Sequence, residues 1–145
     1  MSHTNSLVHF GFTVSNLVRT KEFFRDCLGF EVAREEHGPA GTGHIVGVPG
    51  ATMDFCVLQG PDHAIELIQY SAPDDRQQVE SRSCDTGVAH VAYLVPDIEA
   101  FIADAAAYEV RPLNTTLLFK KEGAYGVYMR DPDGLTIEIL QMASA

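Results

Sequence analysis

The chain has few basic residues and no long hydrophobic run, and each shortage excludes a class of protein. Ten Lys and Arg residues are scattered among twenty Asp and Glu residues, which gives a net charge of −10. A nucleic-acid-binding domain gathers basic residues on one face, so we expect no nucleic-acid partner. No stretch approaches the roughly 20 consecutive apolar residues that a membrane-spanning helix needs, so we also expect no membrane partner.

Cysteine is also scarce, and the spacing of the cysteines matches no metal-binding or disulfide motif. The three cysteines form an odd set without a C-x-x-C pair, which indicates reduced, packed thiols rather than a disulfide framework. Residues 1–5 are polar and do not resemble a secretory signal. We therefore expect a cytoplasmic protein.

The chain length indicates how many domains the protein has and whether its core needs additional support. A chain of 145 residues is typical of one domain and buries about two thirds of its unfolded surface, so its core needs no structural metal or disulfide. Any metal that it binds is then expected to serve function.

The chain repeats one plan twice. Residues 7–32 and 88–110 each contain a short strand pattern with one histidine, a polar turn and an amphipathic helix. Residues 61–70 and 132–142 each contain a Pro-Asp turn followed by Ile-Glu inside an apolar strand. The repeat predicts an α+β fold of two tandem βαβββ modules, with helices on the outer face of a mixed sheet.

The module boundaries and the helix ends follow from local signals. We predict one domain over residues 1–145. It consists of a first module at about 7–70, a linker at about 71–86 and a second module at about 87–142. Ser15 or Asn16 and Asp97 are the expected helix N-caps, and Gly29 is expected to end the first helix.

Four ionisable residues occupy equivalent places in the two modules. His9 and Glu66 lie 57 residues apart, and His90 and Glu138 lie 48 residues apart, so loop lengths differ while the placement is kept. Side chains alternate along a strand, so each histidine is predicted on the strand face opposite the apolar, helix-covered one. That apolar face comprises Val8, Phe10, Phe12 and Val14 in the first module.

A carboxylate placed in a buried strand costs several kcal/mol unless it is paired or bound to metal. Imidazole nitrogens and carboxylate oxygens are ligands for a divalent metal, with Ni, Zn, Fe, Mn and Co all open. We therefore predict a metal held by His9, Glu66, His90 and Glu138. The alternative is two Glu–His pairs without metal.

These residues and two motifs resemble a known family. The segment NLVRTKEFFRDCLGFEV at 16–32, the segment RDPDGLTIEIL at 130–140 and the His/Glu/His/Glu set are similar to the vicinal oxygen chelate superfamily. This superfamily contains glyoxalases, bleomycin-resistance proteins and extradiol dioxygenases. The resemblance covers residues 7–142 and implies a cupped sheet around one divalent metal, a substrate with two neighbouring oxygens and a homodimer.

The resemblance also separates branches of the superfamily. The His/Glu/His/Glu set looks most like that of bacterial lactoylglutathione lyases, whereas methylmalonyl-CoA epimerases often have Gln in place of Glu66. Glutathione-using members carry Arg and Asn where this chain has Thr13 and Tyr70, which argues against glutathione. Tyr128 lies ten residues before Glu138, where extradiol dioxygenases place a catalytic tyrosine. Tyr70 and Tyr128 are the candidate substrate-binding residues.

Three functions remain open at this stage. The first is a metal-dependent lyase or isomerase of glyoxalase or epimerase type, in which Glu66 and Glu138 are the candidate catalytic bases and Glu138 stays a ligand. The second is an Fe(II) extradiol-type dioxygenase for a catechol or hydroquinone, with His9, His90 and Glu138 as ligands. The third is a resistance protein that binds a small toxin. The sequence leaves open the substrate, the metal and whether one chain or two form the site.

Overall fold

The structure is a computed structural model that describes residues 6–38, 42–113, 119–121 and 124–142. The chain divides into two compact units, residues 1–77 and 78–145. Within the described residues, no helix has the length and apolar character needed to cross a membrane.

The first unit is a four-stranded sheet covered by one long helix. Its elements, in chain order, are β1 (Phe10–Thr13), α1 (Leu17–Leu28), β2 (Glu31–Glu36), a short 3-10 turn (Thr42–His44), β3 (Thr52–Gln59) and β4 (Ala64–Ala72). The strand order is β1-β4-β3-β2, with β1 parallel to β4 and the other pairs antiparallel. Helix α1 packs on β3 and β4 and buries Phe23 and Phe24 there, which forms the core of this unit.

The second unit repeats this plan with one strand in two pieces. Its elements are β5 (Val91–Leu94), α2 (Ile98–Ala105) with a following 3-10 turn (Ala106–Tyr108), β6 (Arg111–Pro112), β7 (Phe119–Lys121), β8 (Ala124–Arg130) and β9 (Thr136–Met142). The order is β5-β9-β8-β6, and β7 pairs with the other end of β8. Both units are thus βαβββ, and the predicted α+β fold is confirmed.

The predicted helix ends are also confirmed. Asn16 caps α1 by accepting the Arg19 backbone N–H at 3.0 Å, and Asp97 caps α2 by accepting two backbone N–H groups at 3.0 Å. Gly29 follows α1 with φ of 70°, a left-handed conformation that glycine adopts without steric cost.

A second side-chain contact at each helix start was not among the sequence predictions. Gln69 Oε1 accepts the Leu17 backbone N–H at 2.7 Å, and Gln141 Oε1 accepts the Ile98 backbone N–H at 2.8 Å. Each glutamine therefore ties the first turn of a helix to the last strand of its own unit. The signal was present in the repeated segments IELIQ and IEILQ, where a glutamine follows each candidate glutamate by three residues.

The first strand of each module differs from the prediction. His9 and His90 immediately precede β1 and β5 rather than lying inside them. The apolar face of the first strand is not fully covered either, since Val8 is 74% exposed and Phe10 is 44% exposed, while Val14 is buried. The reason is that β1 is a short edge strand, and α1 begins beyond its end and packs on β3 and β4. The prediction that a helix covers this whole face is therefore wrong, because apolar alternation does not imply burial on an edge strand.

The three cysteines lie in three different environments. Cys56 on β3 is buried, and its burial raises the pKa of the thiol. Cys27 on α1 is partly buried, whereas Cys84 is exposed in the segment before β5. The expectation of packed thiols is therefore wrong for Cys84.

Candidate metal and substrate site

The first His–Glu pair lies on the sheet face opposite α1. The parallel register of β1 and β4 places Gly11 beside Glu66, so His9, two residues earlier, lies on the same face. His9 Nε2 is 3.3 Å from Glu66 Oε2, and the two side chains are 35% and 22% exposed. Gly11 leaves space on this face, because a Cβ atom at this position would have no neighbouring atom within 4 Å. Both donor atoms are therefore accessible to a ligand.

The second pair repeats this geometry and adds a tyrosine. Ala92 lies beside Glu138, and His90 Nε2 is 3.3 Å from Glu138 Oε2, with the two side chains 43% and 26% exposed. Tyr128 on β8 is directly opposite Glu138, and its hydroxyl is 3.3 Å from His90 Nε2. Desolvation, with a smaller contribution from the Glu138 charge, raises the pKa of Tyr128. The tyrosine is therefore a neutral hydrogen-bonding group beside the pair.

The donor chemistry of both pairs fits a divalent metal. Each unit offers one imidazole nitrogen and one carboxylate oxygen, a combination that first-row divalent ions accept. Within the described residues of either unit, no third His, Cys, Asp or Glu joins a pair to complete a metal-binding group. The structure thus brings together His9 with Glu66 and His90 with Glu138. Their union in one four-ligand centre stays a prediction.

The residues that replace the glutathione contacts lie on the face of the first pair. Thr13 lies opposite Ile68, and Tyr70 follows Ile68 by two residues, so both share the face of Glu66. Neither side chain offers the positive charge of the arginine that glutathione-using members carry. A substrate-binding role for Tyr70, like that for Tyr128, stays a prediction.

The start of β9, two residues before Glu138, is held by Arg130. Its Nη1 donates to the Ser81 carbonyl oxygen at 2.7 Å, and its Nε and Nη2 donate to Thr136 Oγ1 at 3.2 and 3.1 Å. A further contact joins Nη2 to Ser83 Oγ at 3.3 Å. This clamp ties residues 81–83 to β9 and was not visible in the sequence, because its members are up to 49 residues apart.

The DPDG turn before β9 has its own internal support. Asp131 is buried, and its Oδ1 accepts the backbone N–H groups of Asp133 and Leu135, both at 2.9 Å. Gly134 adopts a φ of 89°, which a side chain would strain. These residues fix how the chain enters the strand that carries Glu138.

Known proteins resemble this chain in both sequence and structure. Residues 6–139 match the Glyoxalase/Bleomycin resistance protein/Dioxygenase superfamily. The chain is 30% identical, over an alignment of 147 residues, to a 2-epi-5-epi-valiolone epimerase of an Actinomyces species, and the alignment covers 92% of this chain and 78% of that protein.

Two solved structures share the fold. A glyoxalase family protein from Bacillus cereus gives a TM-score of 0.82 at 16% identity, with 99% of each chain covered. The trypanothione-dependent glyoxalase I of Leishmania major gives a TM-score of 0.60 at 25% identity, with 95% of this chain and 87% of that chain covered. Together with the repeated βαβββ unit, these matches confirm the resemblance noted in the sequence: the chain belongs to the Glyoxalase/Bleomycin resistance protein/Dioxygenase superfamily.

Proposed function

We propose that this protein is a divalent-metal-dependent isomerase or lyase that moves a proton at a carbon beside a carbonyl group. The observation that carries the proposal is the duplicated His–Glu contact, which has the same 3.3 Å separation in both units. The superfamily match and the relative named as an epimerase also support it.

His9, Glu66, His90 and Glu138 would hold the metal, which is Ni, Zn, Fe, Mn or Co. When bound, the metal polarises a substrate carbonyl and makes the neighbouring C–H group more acidic. Glu138 serves mainly as a ligand, and the carboxylates of Glu66 and Glu138 share the role of base. Return of the proton to the adjacent carbon gives isomerisation, and return to the other face of the same carbon gives epimerisation.

The proposed substrate is a small molecule with two neighbouring oxygens and without a glutathione moiety. Thr13 and Tyr70 on the face of Glu66 support this choice, because they lack the charge and the amide that glutathione-using members present. Tyr70 and Tyr128 bind the substrate through their hydroxyl groups and rings. Epimerisation, the reaction in the name of the Actinomyces relative, fits these features better than glyoxalase chemistry.

A second candidate is an Fe(II) dioxygenase for a catechol or hydroquinone. It is favoured by one specific contact, the Tyr128 hydroxyl 3.3 Å from His90 Nε2. In this case His9, His90 and Glu138 form the ligand set, and Glu66 has no ligand role. This candidate requires oxygen consumption, which the proton-transfer function does not.

We further propose that the protein acts as a homodimer in the cytoplasm, as is common for superfamily members of this size. Light scattering of the purified chain tests the first statement. A mass of one chain across the micromolar range would contradict it.

The function is tested by metal analysis followed by two assays of the same preparation. The metal content of protein purified without added metal is measured by elemental mass spectrometry. The protein is then incubated in D₂O with a panel of small hydroxyketones, and with catechols in an oxygen electrode. The proposal predicts bound metal, deuterium incorporation beside the carbonyl and no oxygen uptake. Iron with oxygen uptake would replace it by the second candidate, and ligand binding without either reaction would indicate a resistance protein.

Variants connect the result to the site. Glu66→Gln and Glu138→Gln each remove a carboxylate from a pair, and Glu99→Gln, on the exposed first turn of α2, is the matched control. We expect the control to retain metal and deuterium exchange while the two site variants lose one or both. The proposal is contradicted if both site variants keep metal and full turnover.

A further inference from the structure

A β-bulge in β2 changes which side chains lie on the face of the first His–Glu pair. Val32 lies opposite Leu58 and Arg34 lies opposite Val57, so the register shifts between them and leaves Ala33 as the extra residue. Side chains alternate along a regular strand, so Val32 and Arg34 would otherwise share a face. The bulge therefore turns Arg34 to the face opposite that of Val32.

Contacts on both sides of the strand confirm this orientation. Glu35 Oε1 accepts a hydrogen bond from Lys21 Nζ at 2.8 Å, which places Glu35 on the side covered by α1. Arg34 lies on the other side, in a row in which Val57 is its partner and Glu66 is the partner of Val57. Arg34 thus shares a cross-strand row, and a face, with the glutamate of the first pair.

The Arg34 guanidinium is held in a defined position. Its Cζ lies 5.3 Å from the centroid of the Phe55 ring, a cation–π geometry. Its Nε donates to Glu36 Oε1 at 2.6 Å, and its Nη2 contacts the same oxygen. The side chain nevertheless remains 62% exposed, so the guanidinium is oriented and still accessible to a ligand.

The surface between Arg34 and Glu66 is apolar. Strands lie about 4.8 Å apart, so the Cα atoms of these two residues, two strands apart in one row, are separated by about 10 Å. Val57 lies between them, and Phe55 and Ile68 form the next row along the same face. A molecule that reaches from Glu66 to Arg34 therefore crosses an apolar floor and ends at an exposed guanidinium, which Glu36 neutralises in part.

We propose that Arg34 is a specificity-determining residue that binds an anionic group of the substrate, a carboxylate or a phosphate, at the far end of this floor. The proposal rests on the proposed function, which places the substrate's neighbouring oxygens at the metal. The overall charge of −10 and the Glu36 carboxylate repel anions from the far end of this floor. An anionic substrate therefore needs a local cation, and a guanidinium binds carboxylate and phosphate through paired N–H donors.

The test uses metal-loaded protein and three hydroxamic acids, which chelate metal through two neighbouring oxygens. Octanohydroxamic acid is neutral at its far end, suberic acid monohydroxamate ends in a carboxylate at the same chain length, and 7-phosphonoheptanohydroxamic acid ends in a phosphonate. Isothermal titration calorimetry gives a Kd for each. We expect at least one anionic probe to bind about tenfold more tightly than the neutral probe, as for one charge-assisted contact. The better of the two anionic probes identifies the substrate's charged group.

Arg34→Gln is expected to abolish this preference and leave octanohydroxamic acid binding unchanged, and Arg34→Lys is expected to retain part of it. The matched control is Arg25→Gln, which removes an arginine of α1 whose Nε donates to Asp26 Oδ1 at 2.6 Å. That control should keep the full preference.

The outcomes separate this inference from the proposed function. If octanohydroxamic acid binds but neither anionic probe is preferred, or if the preference survives in Arg34→Gln, the role of Arg34 is overturned and the metal site stands. If no hydroxamic acid binds, the metal centre of the proposed function fails, and the role of Arg34 fails with it.

Discussion

The two modules share a His–Glu pair but differ in the residue opposite the glutamate on the neighbouring strand. Val57 lies opposite Glu66 in the first module, and Tyr128 lies opposite Glu138 in the second. The pair separation and the glutamine that ties the helix to the last strand are the same in both. Duplication has therefore kept the pair and its support while the adjoining surface has diverged.

Under the proposed function, this divergence would give the two surfaces different roles. The surface of the first module continues from Glu66 over apolar side chains to Arg34, which suits binding. In the second module, the Tyr128 hydroxyl lies beside the His90 nitrogen, which suits hydrogen bonding to a reacting group. The following substitutions test the shared features and then the differences, from the largest expected effect to the smallest.

The shared histidines are expected to matter most. His9→Ala and His90→Ala should each lower metal affinity by more than the roughly 10–100-fold that loss of an outer-shell partner costs. The measurement is a competition titration against a chromophoric chelator. His44→Ala, which alters an exposed histidine outside the pairs, is the control and should bind metal like the wild type. Equal affinities in all four proteins would remove the histidines from the metal site.

Tyr128→Phe makes the second module more like the first. Under the proposed function, loss of one hydrogen bond to the substrate should lower kcat/KM by about fivefold, because such a bond contributes roughly 1 kcal/mol. Metal content should not change. Tyr125→Phe is the control, since Tyr125 lies on the same strand but on its other face. Unchanged turnover in Tyr128→Phe would show that the Tyr128 hydroxyl, which Val57 lacks in the first module, has no role in the reaction.

The glutamine ties should have equal effects in both modules. Gln69→Leu and Gln141→Leu each leave the first helical N–H group without its side-chain acceptor, which should lower the free energy of unfolding by about 1 kcal/mol. Gln69→Glu and Gln141→Glu keep an acceptor and place a negative charge at a helix N-terminus, so they should remain near the wild type. Urea unfolding followed by circular dichroism checks both. Equal loss in the Leu and Glu variants would contradict the capping role.

Tyr93 is the counterpart of Phe12, each three residues after its histidine, and it gives the smallest expected effect. Burial raises the pKa of Tyr93 well above its usual value of about 10. The folded state therefore keeps a proton that the unfolded state releases. Its contribution to stability is complete below about pH 10 and is lost as the pH rises through the folded-state pKa.

Tyr93→Phe removes this dependence and should reduce the loss of unfolding free energy between pH 9 and pH 11 by less than about 1 kcal/mol, because the side chain is only partly buried. Urea unfolding at the two pH values measures it. Tyr108→Phe, on the turn after α2, is the control. An identical pH dependence in the wild type and Tyr93→Phe would show that folding does not raise the pKa of Tyr93.

Local patterns were sufficient for much of the fold. The amphipathic helices, the Asn16 and Asp97 caps and the Gly29 helix end depend on residues within one turn of each other, so the sequence predicts them correctly. The pairing of each histidine with a glutamate was also predictable. Both modules place these two residues at equivalent positions, and the alternation of side chains along a strand puts them on one face.

The sequence by itself thus determined the repeated βαβββ unit, the superfamily and the two candidate pairs. Only the tertiary structure decided that the first strands are short edge strands with exposed apolar residues, and that Arg34 faces Glu66 rather than α1. The physical reason is that burial and strand register depend on which distant segment pairs with a strand. The sequence EVAREE of β2 does not by itself show which side chains face α1. Only its pairing with β3 introduces the bulge that turns Arg34 to the other face.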